Sequence, residues 1–348
     1  MSINEGFILS IFRKMVQFKP KLAMLLPDDE NEDDDFDIRK LANEITANYP
    51  WPIGVELRRL LSASMHQLDH ARLDQIFRTL ERTMQFLTFV LVCQLAEERI
   101  QNRVPIPTKF RNEFSQRFAV LTMGNFAWLI RSVGKIFTAN NIRPFIPETS
   151  GILNKEFYDK LDFWTPERNE IGHYRITLRD EEIEVRCVEY FKKLEEIIAE
   201  LAFLIKYPLL TITQIEVLKS KREPARFKHH MLMLNSASSD FSGRSQPFDR
   251  YTDSHSVLLV AGIKNVPDQY LSLSPLVVDT HFEIIDSREK LSKVKKDIYL
   301  CTMWNEKSRH LHYIGTEAEE KPDLRILSFY DQLVREFEEI MQSFSPEA

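Results

Sequence analysis

Between Leu73 and Ile100 the residues Ile76, Leu80, Met84, Leu87, Leu91 and Leu95 recur at intervals of three and four, forming one continuous apolar stripe. That spacing returns each side chain to the same face of an α-helix, so it predicts a long helix, and a stripe of this length needs several neighbours to cover it. Helical spacing continues to about residue 206 with little β-branched alternation, and only nine glycines occur in 348 residues. The expected fold class is therefore mainly α, with an N-terminal all-α helical bundle over 1–206. In YPWPIGVELRRLL (Tyr49 to Leu61) two prolines precede an apolar-periodic run, which places a helix start near Ile53, because proline suits the first turn but not the interior. Further helices are expected over Met123 to Thr138, Glu156 to His173 and Glu189 to Ile205. Asn140, Asn141, Pro144 and Pro147 mark a loop between the first two.

The pattern breaks between Tyr207 and Lys228, where Pro208, Pro224 and the cations Lys219, Lys221, Arg222, Arg226 and Lys228 read as a basic linker at a domain boundary. Beyond it, short β-rich runs appear at His230 to Leu234, Ser256 to Ala261, Leu271 to Val278, Ile298 to Met303 and Leu311 to Ile314. They predict a small C-terminal antiparallel β module over 229–348, closed by an amphipathic helix from Leu324 to Phe344 that packs on the sheet. The serine- and aspartate-rich segment Asn235 to His255 reads as a long loop. Two domains fit a chain of 41.0 kDa at roughly 100 to 200 residues each.

The formal charge is -6, yet eight of the 52 acidic residues lie in one run from Asp28 to Asp37. Without them the chain carries 46 basic against 44 acidic residues, so a pI near 5.9 does not exclude an anionic partner. The run lacks the spaced glycine and terminal glutamate of a calcium loop and reads as a solvated segment kept extended by repulsion. Cys93, Cys187 and Cys301 are too widely spaced for a disulfide framework or a zinc signature and read as reduced thiols. The longest uncharged apolar stretch, Thr83 to Ala96, is shorter than the roughly 18 residues that suggest a bilayer span. MSINEGFILSIF has an acid and no basic residue ahead of its apolar segment, unlike a secretory signal. A cytoplasmic location is expected.

The sharpest chemical feature is Arg168-Asn169-Glu170-Ile171-Gly172-His173 at the end of a predicted helix. Asn169 and His173 are four apart and share a helical face, with Arg168 on its flank. Imidazole titrates near neutrality and can take a proton from a ribose 2'-hydroxyl or give one to a leaving oxygen. A guanidinium offers a permanent cation with forked donors for charge developing on a phosphate. Asn169 can orient either group. The same residues also suit a structural role, with Arg168 and Asn169 bonding a helix end and His173 facing its dipole. Spacing alone does not choose, since a second R-x4-H runs from Arg250 to His255 in a predicted loop.

TPERNEIGHYR resembles the R-x4-6-H motif, often opening Arg-Asn, of the HEPN domains (higher eukaryotes and prokaryotes nucleotide-binding). LTMGNFAWLIRSVGKIF (Leu121 to Phe137) is similar to the helix preceding that motif in bacterial members, and YPWPIGVELRRLL to their proline-rich helix start. The resemblance covers roughly residues 45–206. It implies an all-α HEPN-like bundle that dimerises so that two motifs form one composite site. It also implies endoribonuclease activity that needs no metal or other cofactor and leaves a 2',3'-cyclic phosphate, in a toxin-like or antiviral role. Carried onto this chain, Arg168, Asn169 and His173 take the catalytic places. Gly172 stands where alanine or another small residue is common and Tyr174 where glycine is frequent, which affects helix-end geometry and removes no catalytic group. Restraint of such an enzyme would fall to an antitoxin or sensor partner, a ligand or the C-terminal module. Some HEPN domains lack activity, so a non-catalytic dimer that binds RNA or protein is the alternative, and a nucleotide-responsive regulator is a third.

Arg175 and Arg179, just past the motif, are candidate RNA contacts. The Lys219 to Lys228 cluster is a candidate phosphate strip that reads more readily as a solvated linker. His66 and His70 are spaced like a two-histidine metal face, but no glutamate completes H-E-x-x-H. The pairs His229 and His230, and His310 and His312, read as surface residues. No glycine-rich phosphate loop is present, which argues against an ATPase or GTPase.

Overall fold

A computed structural model describes residues 3–26, 37–174, 178–234, 242–254, 256–281 and 294–345; at 172–174, 242, 265 and 268 only the backbone is described. Among these residues the fold is mainly α-helical with two small antiparallel sheets. The acidic positions 28–36, residues 235–241 of the expected loop, and His255 lie outside the described residues. Contacts gather the chain into two compact units that do not follow sequence order.

The first unit is helical. It contains α1 (Ile3–Phe18), α2 (Ile38–Asn48), α3 (Trp51–Leu60), the opening of α4 (His70–Asn102) up to Thr83, α8 (Lys155–Tyr174) and α9 (Asp180–Glu200). The apolar segment read against a secretory signal is α1, which buries Phe7, Ile11, Phe12 and Met15 and stacks Phe7 on Phe191 of α9 at 4.6 Å. Asp37, the last residue of the acidic run, caps α2 by accepting a hydrogen bond from the Arg39 N–H at 3.0 Å. Helix α3 starts at Trp51, two residues before the expected Ile53, with Pro50 as its cap and Pro52 in its first turn. The stripe Ile76, Leu80, Met84, Leu87, Leu91 and Leu95 is buried throughout, and Phe86, Phe89 and Val92 bury the other faces of α4 as well. A helix apolar all round belongs inside, as the length of the stripe suggested.

The second unit joins the rest of α4, α5 (Thr108–Ala119), α6 (Met123–Ala139) and α7 (Thr149–Ile152) to the strands and to α10 (Tyr330–Ser343). One sheet has the order β3-β2-β1-β4-β5, the other β6-β7-β8. The strands are β1 (Leu209–Leu218), β2 (Arg226–Leu234), β3 (Ser242–Phe248), β4 (Val257–Val260), β5 (Tyr270–Ser272), β6 (Val277–Asp279), β7 (Ile298–Asn305) and β8 (His310–Gly315). Helix α10 lies against the second sheet through Phe337, whose ring is 5.2 Å from that of Trp304.

Several expectations shift. The stretch 207–228 holds the ten-residue strand β1 and the start of β2, because the alternating LLTITQIEVL ahead of the basic cluster pairs with its neighbours on both sides. Within the expected loop, β3 pairs with β2 from Phe227↔Phe248 to Met233↔Ser242; as an edge strand it tolerates Pro247. Leu271 to Val278 is two strands in different sheets, with Pro275 between them unable to donate to a ladder. Helix α9 begins nine residues earlier than Glu189, at Asp180, because the Glu182 carboxylate accepts from the Arg179 N–H at 2.9 Å and acidic residues favour a first turn. The terminal helix is shorter than expected, a 3-10 turn at Leu324–Ile326 preceding α10.

His229 is not a surface residue. It is fully buried; its Nδ1 bonds the Phe227 carbonyl at 2.9 Å, and its Nε2 accepts from the Thr252 N–H at 3.2 Å, which fixes a neutral imidazole. Burial holds its pKa below the usual imidazole range, outweighing the Phe227 carbonyl. The folded chain therefore takes up this proton less readily than the unfolded one. The stability tied to it is complete above about pH 6.5 and drains as pH falls below that value. Unfolding free energy should fall as pH drops below about 6.5, and denaturant melts should show a smaller fall in His229→Gln.

A second prediction concerns Gly315. A Cβ there would stand 2.5 Å from Asp297 Oδ2, and that carboxylate is fixed by N–H donors from Ile298 at 2.7 Å and Ala318 at 3.1 Å and by the Thr316 hydroxyl at 2.8 Å. Gly315→Ala should destabilise the protein by about 1–3 kcal/mol, read in a urea melt.

Candidate functional site

Helix α8 is held by a buried face of Phe157, Leu161, Trp164 and Ile171. Trp164 makes edge contacts with Phe77 of α4 and Tyr190 of α9, each at 5.6 Å between ring centres. Such aromatic pairs fix the rotation of a helix as well as burying area. The residues between these anchors, Arg168, Asn169 and Glu170, consequently face solvent. Pro166 lies inside the helix one turn earlier, where it withholds an N–H from the ladder.

The Arg168 guanidinium is 3.1 Å from the Glu81 carboxylate of α4, with the arginine side chain 47% exposed. Glu170 holds Arg186 of α9 at 2.6 Å. Glu167 accepts a hydrogen bond from the Tyr190 hydroxyl, whose pKa is pushed up by burial first and by that carboxylate second. Arg179 is exposed at the start of α9 and 3.5 Å from Glu182 of its own first turn. Arg168, Arg179 and Arg186 are thus each matched by a carboxylate, and Asp180, Glu181 and Glu184 add further exposed acids at the start of α9.

Of the expected site residues, the structure brings Arg168 and Asn169 together on the exposed side of α8. The backbone of His173 lies in the final turn of the same helix, but its side chain is outside the described residues, and so is Arg175. Glu81 and Arg186 were not singled out from the sequence. Their roles come from partners 87 and 16 residues away on other helices, so no local spacing signals them.

The remaining candidates separate. Arg250 of the second R-x4-H lies beyond the end of β3, not on a helix. His66 and His70 do not share a helical face, since His66 follows a 3-10 turn and His70 opens α4. His230 is half-buried, 3.0 Å from Glu216 and 2.9 Å from the Ser245 hydroxyl. His310 and His312 lie with ring centres 4.2 Å apart, and burial, then His312, lowers the His310 pKa. Among the described residues no group of three or more His, Cys, Asp or Glu side chains is placed to hold a metal ion, and no helix is long and apolar enough to cross a membrane. The three cysteines are free and buried, with Cys187 pushed up to about 11 by burial.

No family model matches the chain, no curated protein matches it, and no solved structure matches it.

Exposed ion pairs contribute little to stability, typically about 0–1 kcal/mol. Arg168→Ala and Glu81→Gln should therefore each lower unfolding free energy by no more than about 1 kcal/mol in urea melts, leaving both proteins folded.

Proposed function

We propose that the chain is a metal-independent endoribonuclease of the HEPN type. Its site would be composed across a homodimer from two copies of the C-terminal end of α8, in a toxin-like or antiviral role. The observation that carries this reading is the exposure of Arg168 and Asn169 on the helix whose last turn holds His173, inside a unit built mainly from helices. Their chemistry suits in-line transesterification. The imidazole of His173 removes the ribose 2'-proton or protonates the leaving 5'-oxygen, Arg168 stabilises charge on the phosphate, and Asn169 orients one of them. The 2'-oxygen bonds to phosphorus as the bond to the 5'-oxygen breaks, giving a cyclic phosphate.

The Glu81 partner of Arg168 does not oppose this. An exposed pair worth about 0–1 kcal/mol can open for a phosphate, which forms a stronger, charge-assisted contact with the guanidinium. It does lend weight to a second reading, a non-catalytic HEPN dimer that binds RNA or a protein partner. In that case the matched charges of Arg168–Glu81, Arg186–Glu170 and Arg179–Glu182 serve only to hold helices. RNA, and an antitoxin or sensor that restrains cleavage, are the partners proposed.

The two readings separate on rate. Full-length protein incubated with mixed RNA including tRNA should cut it equally well with and without excess EDTA. Arg168→Ala and His173→Ala should each cut about 100- to 10,000-fold more slowly. Equal rates in parent and both variants would leave the binding module as the better reading.

A further inference from the structure

The cations from Lys219 to Lys228 are not strung along a linker. They occupy the β1–β2 turn and the opening of β2, at one end of the five-stranded sheet. The register Phe227↔Phe248 and Lys228↔Pro247 brings the end of β3 alongside Arg226. A cavity of about 360 Å³ opens there, lined by Arg226, Gln246, Asp249, Arg250 and Lys264. The Arg226 Nη2 donates to the Pro247 carbonyl at 3.3 Å, which aims the guanidinium along this wall, and its Nε is 3.7 Å from Asp249. In the cavity wall, among the described residues, Arg226, Arg250 and Lys264 are exposed against the one exposed acid Asp249, and Lys219, Lys221 and Arg222 are exposed on the neighbouring turn with Glu223, a positive excess at this end of the sheet.

Beside these cations stands an aromatic ring that the fold leaves uncovered. Tyr251, adjacent to Arg250, is 69% exposed, and Phe227 props its ring from one side at 5.3 Å. Tyr251 itself lines a second cavity of the same unit, about 990 Å³, and adjoins the basic one through Arg250. The lining of the larger cavity carries Glu97, Asp253, Glu336 and Glu339 and, among the described residues, no Lys, Arg or His, so a polyanion is turned toward the basic side. A charged groove beside an exposed aromatic face is the arrangement that holds single strands, whose bases are free to stack; a duplex keeps its bases stacked on each other.

We propose that this end of the five-stranded sheet binds single-stranded nucleic acid, with the Arg226, Arg250 and Lys264 cavity taking a backbone phosphate and Tyr251 stacking on a base. The site is separate from the α8 motif and stands whether or not that motif cleaves. It would give the strand-rich unit the task of gripping RNA.

Fluorescence anisotropy of the full chain with a labelled 2'-O-methyl oligouridine of about twelve nucleotides tests this, since that probe has no 2'-hydroxyl to attack and cannot be cut; its length lies within the roughly 4 to 16 nucleotides that single-strand sites occupy. Arg226→Glu/Lys264→Glu should bind at least about tenfold more weakly at about 0.15 M salt, with the slope of log affinity on log salt shallower by about 1.4. Tyr251→Ala should lose roughly tenfold with the slope kept. Lys109→Glu/Lys135→Glu, the same charge change elsewhere in this unit, should bind like the parent. Thermal melts check folding, and Arg226→Gln/Lys264→Gln replaces the double reversal if that protein does not fold. Parent-like affinity and slope in the folded double variant overturn the proposal. So does a variant that loses binding to poly-glutamate while keeping the oligonucleotide, which would mark an acidic protein partner.

Discussion

Helix α4 imposes the constraint from which both units are built: it is buried almost all round, so the polar groups it carries inside need partners, and nearly all find one, the Arg72 Nε being an exception. In the first unit, Arg72 donates to Asn4 of α1 at 2.7 Å and lies 4.4 Å over the Phe191 ring of α9. Gln75 reaches the buried Glu56 of α3 at 2.8 Å. Three helices are thereby keyed to α4 by directional bonds, where apolar packing alone would let them rotate. In the second unit, Gln85 donates to the Cys301 carbonyl of β7 at 2.8 Å, and Gln94 ties the Arg143 carbonyl and the Phe145 N–H at 2.9 and 2.7 Å. Thr79, Thr83 and Thr88 return their hydroxyls to carbonyls one turn back and need nothing else. Removing one partner of such a buried pair leaves the other unsatisfied, which costs more than the bond contributes.

The candidate site is a consequence of the same keying. Because Trp164 is fixed between Phe77 and Tyr190, the rotation of α8 is set, and Arg168 meets Glu81 at the boundary between core and solvent. The pair keeps an arginine oriented at little cost while leaving it able to exchange its carboxylate for a phosphate. A site of this kind is ready without being strongly positive. That fits a chain whose formal charge is -6 and whose positive excess lies at the β1–β2 turn.

Much of this was legible in the sequence where periodicity was long and pure. The α4 stripe, α6 and α8 fall where their apolar spacing placed them, and β7 and β8 where β-branched and aromatic residues alternate. Strand β3, with the sequence SGRSQPF, has no apolar pattern and exists because β2 offers it a ladder, which is a tertiary cause. Strand β1 did carry alternation, but the prolines and cations around it dominated the local composition. His229 was misread as exposed because of its basic neighbours, although His229, Met231 and Met233 sit two apart on the buried face of β2. At the site, Arg168, Asn169 and His173 are a local pattern and could be found by spacing, whereas Glu81 is joined to Arg168 only by folding.

The cleavage proposed for the end of α8 proceeds through the 2'-hydroxyl of the substrate itself. The 3' ends of RNA cut by the purified full chain test it most directly. A 2',3'-cyclic phosphate at every cut, with those cuts missing from His173→Ala digests, is the predicted result. Ends carrying a free 3'-hydroxyl, or the same cuts persisting in folded His173→Ala protein, would contradict it.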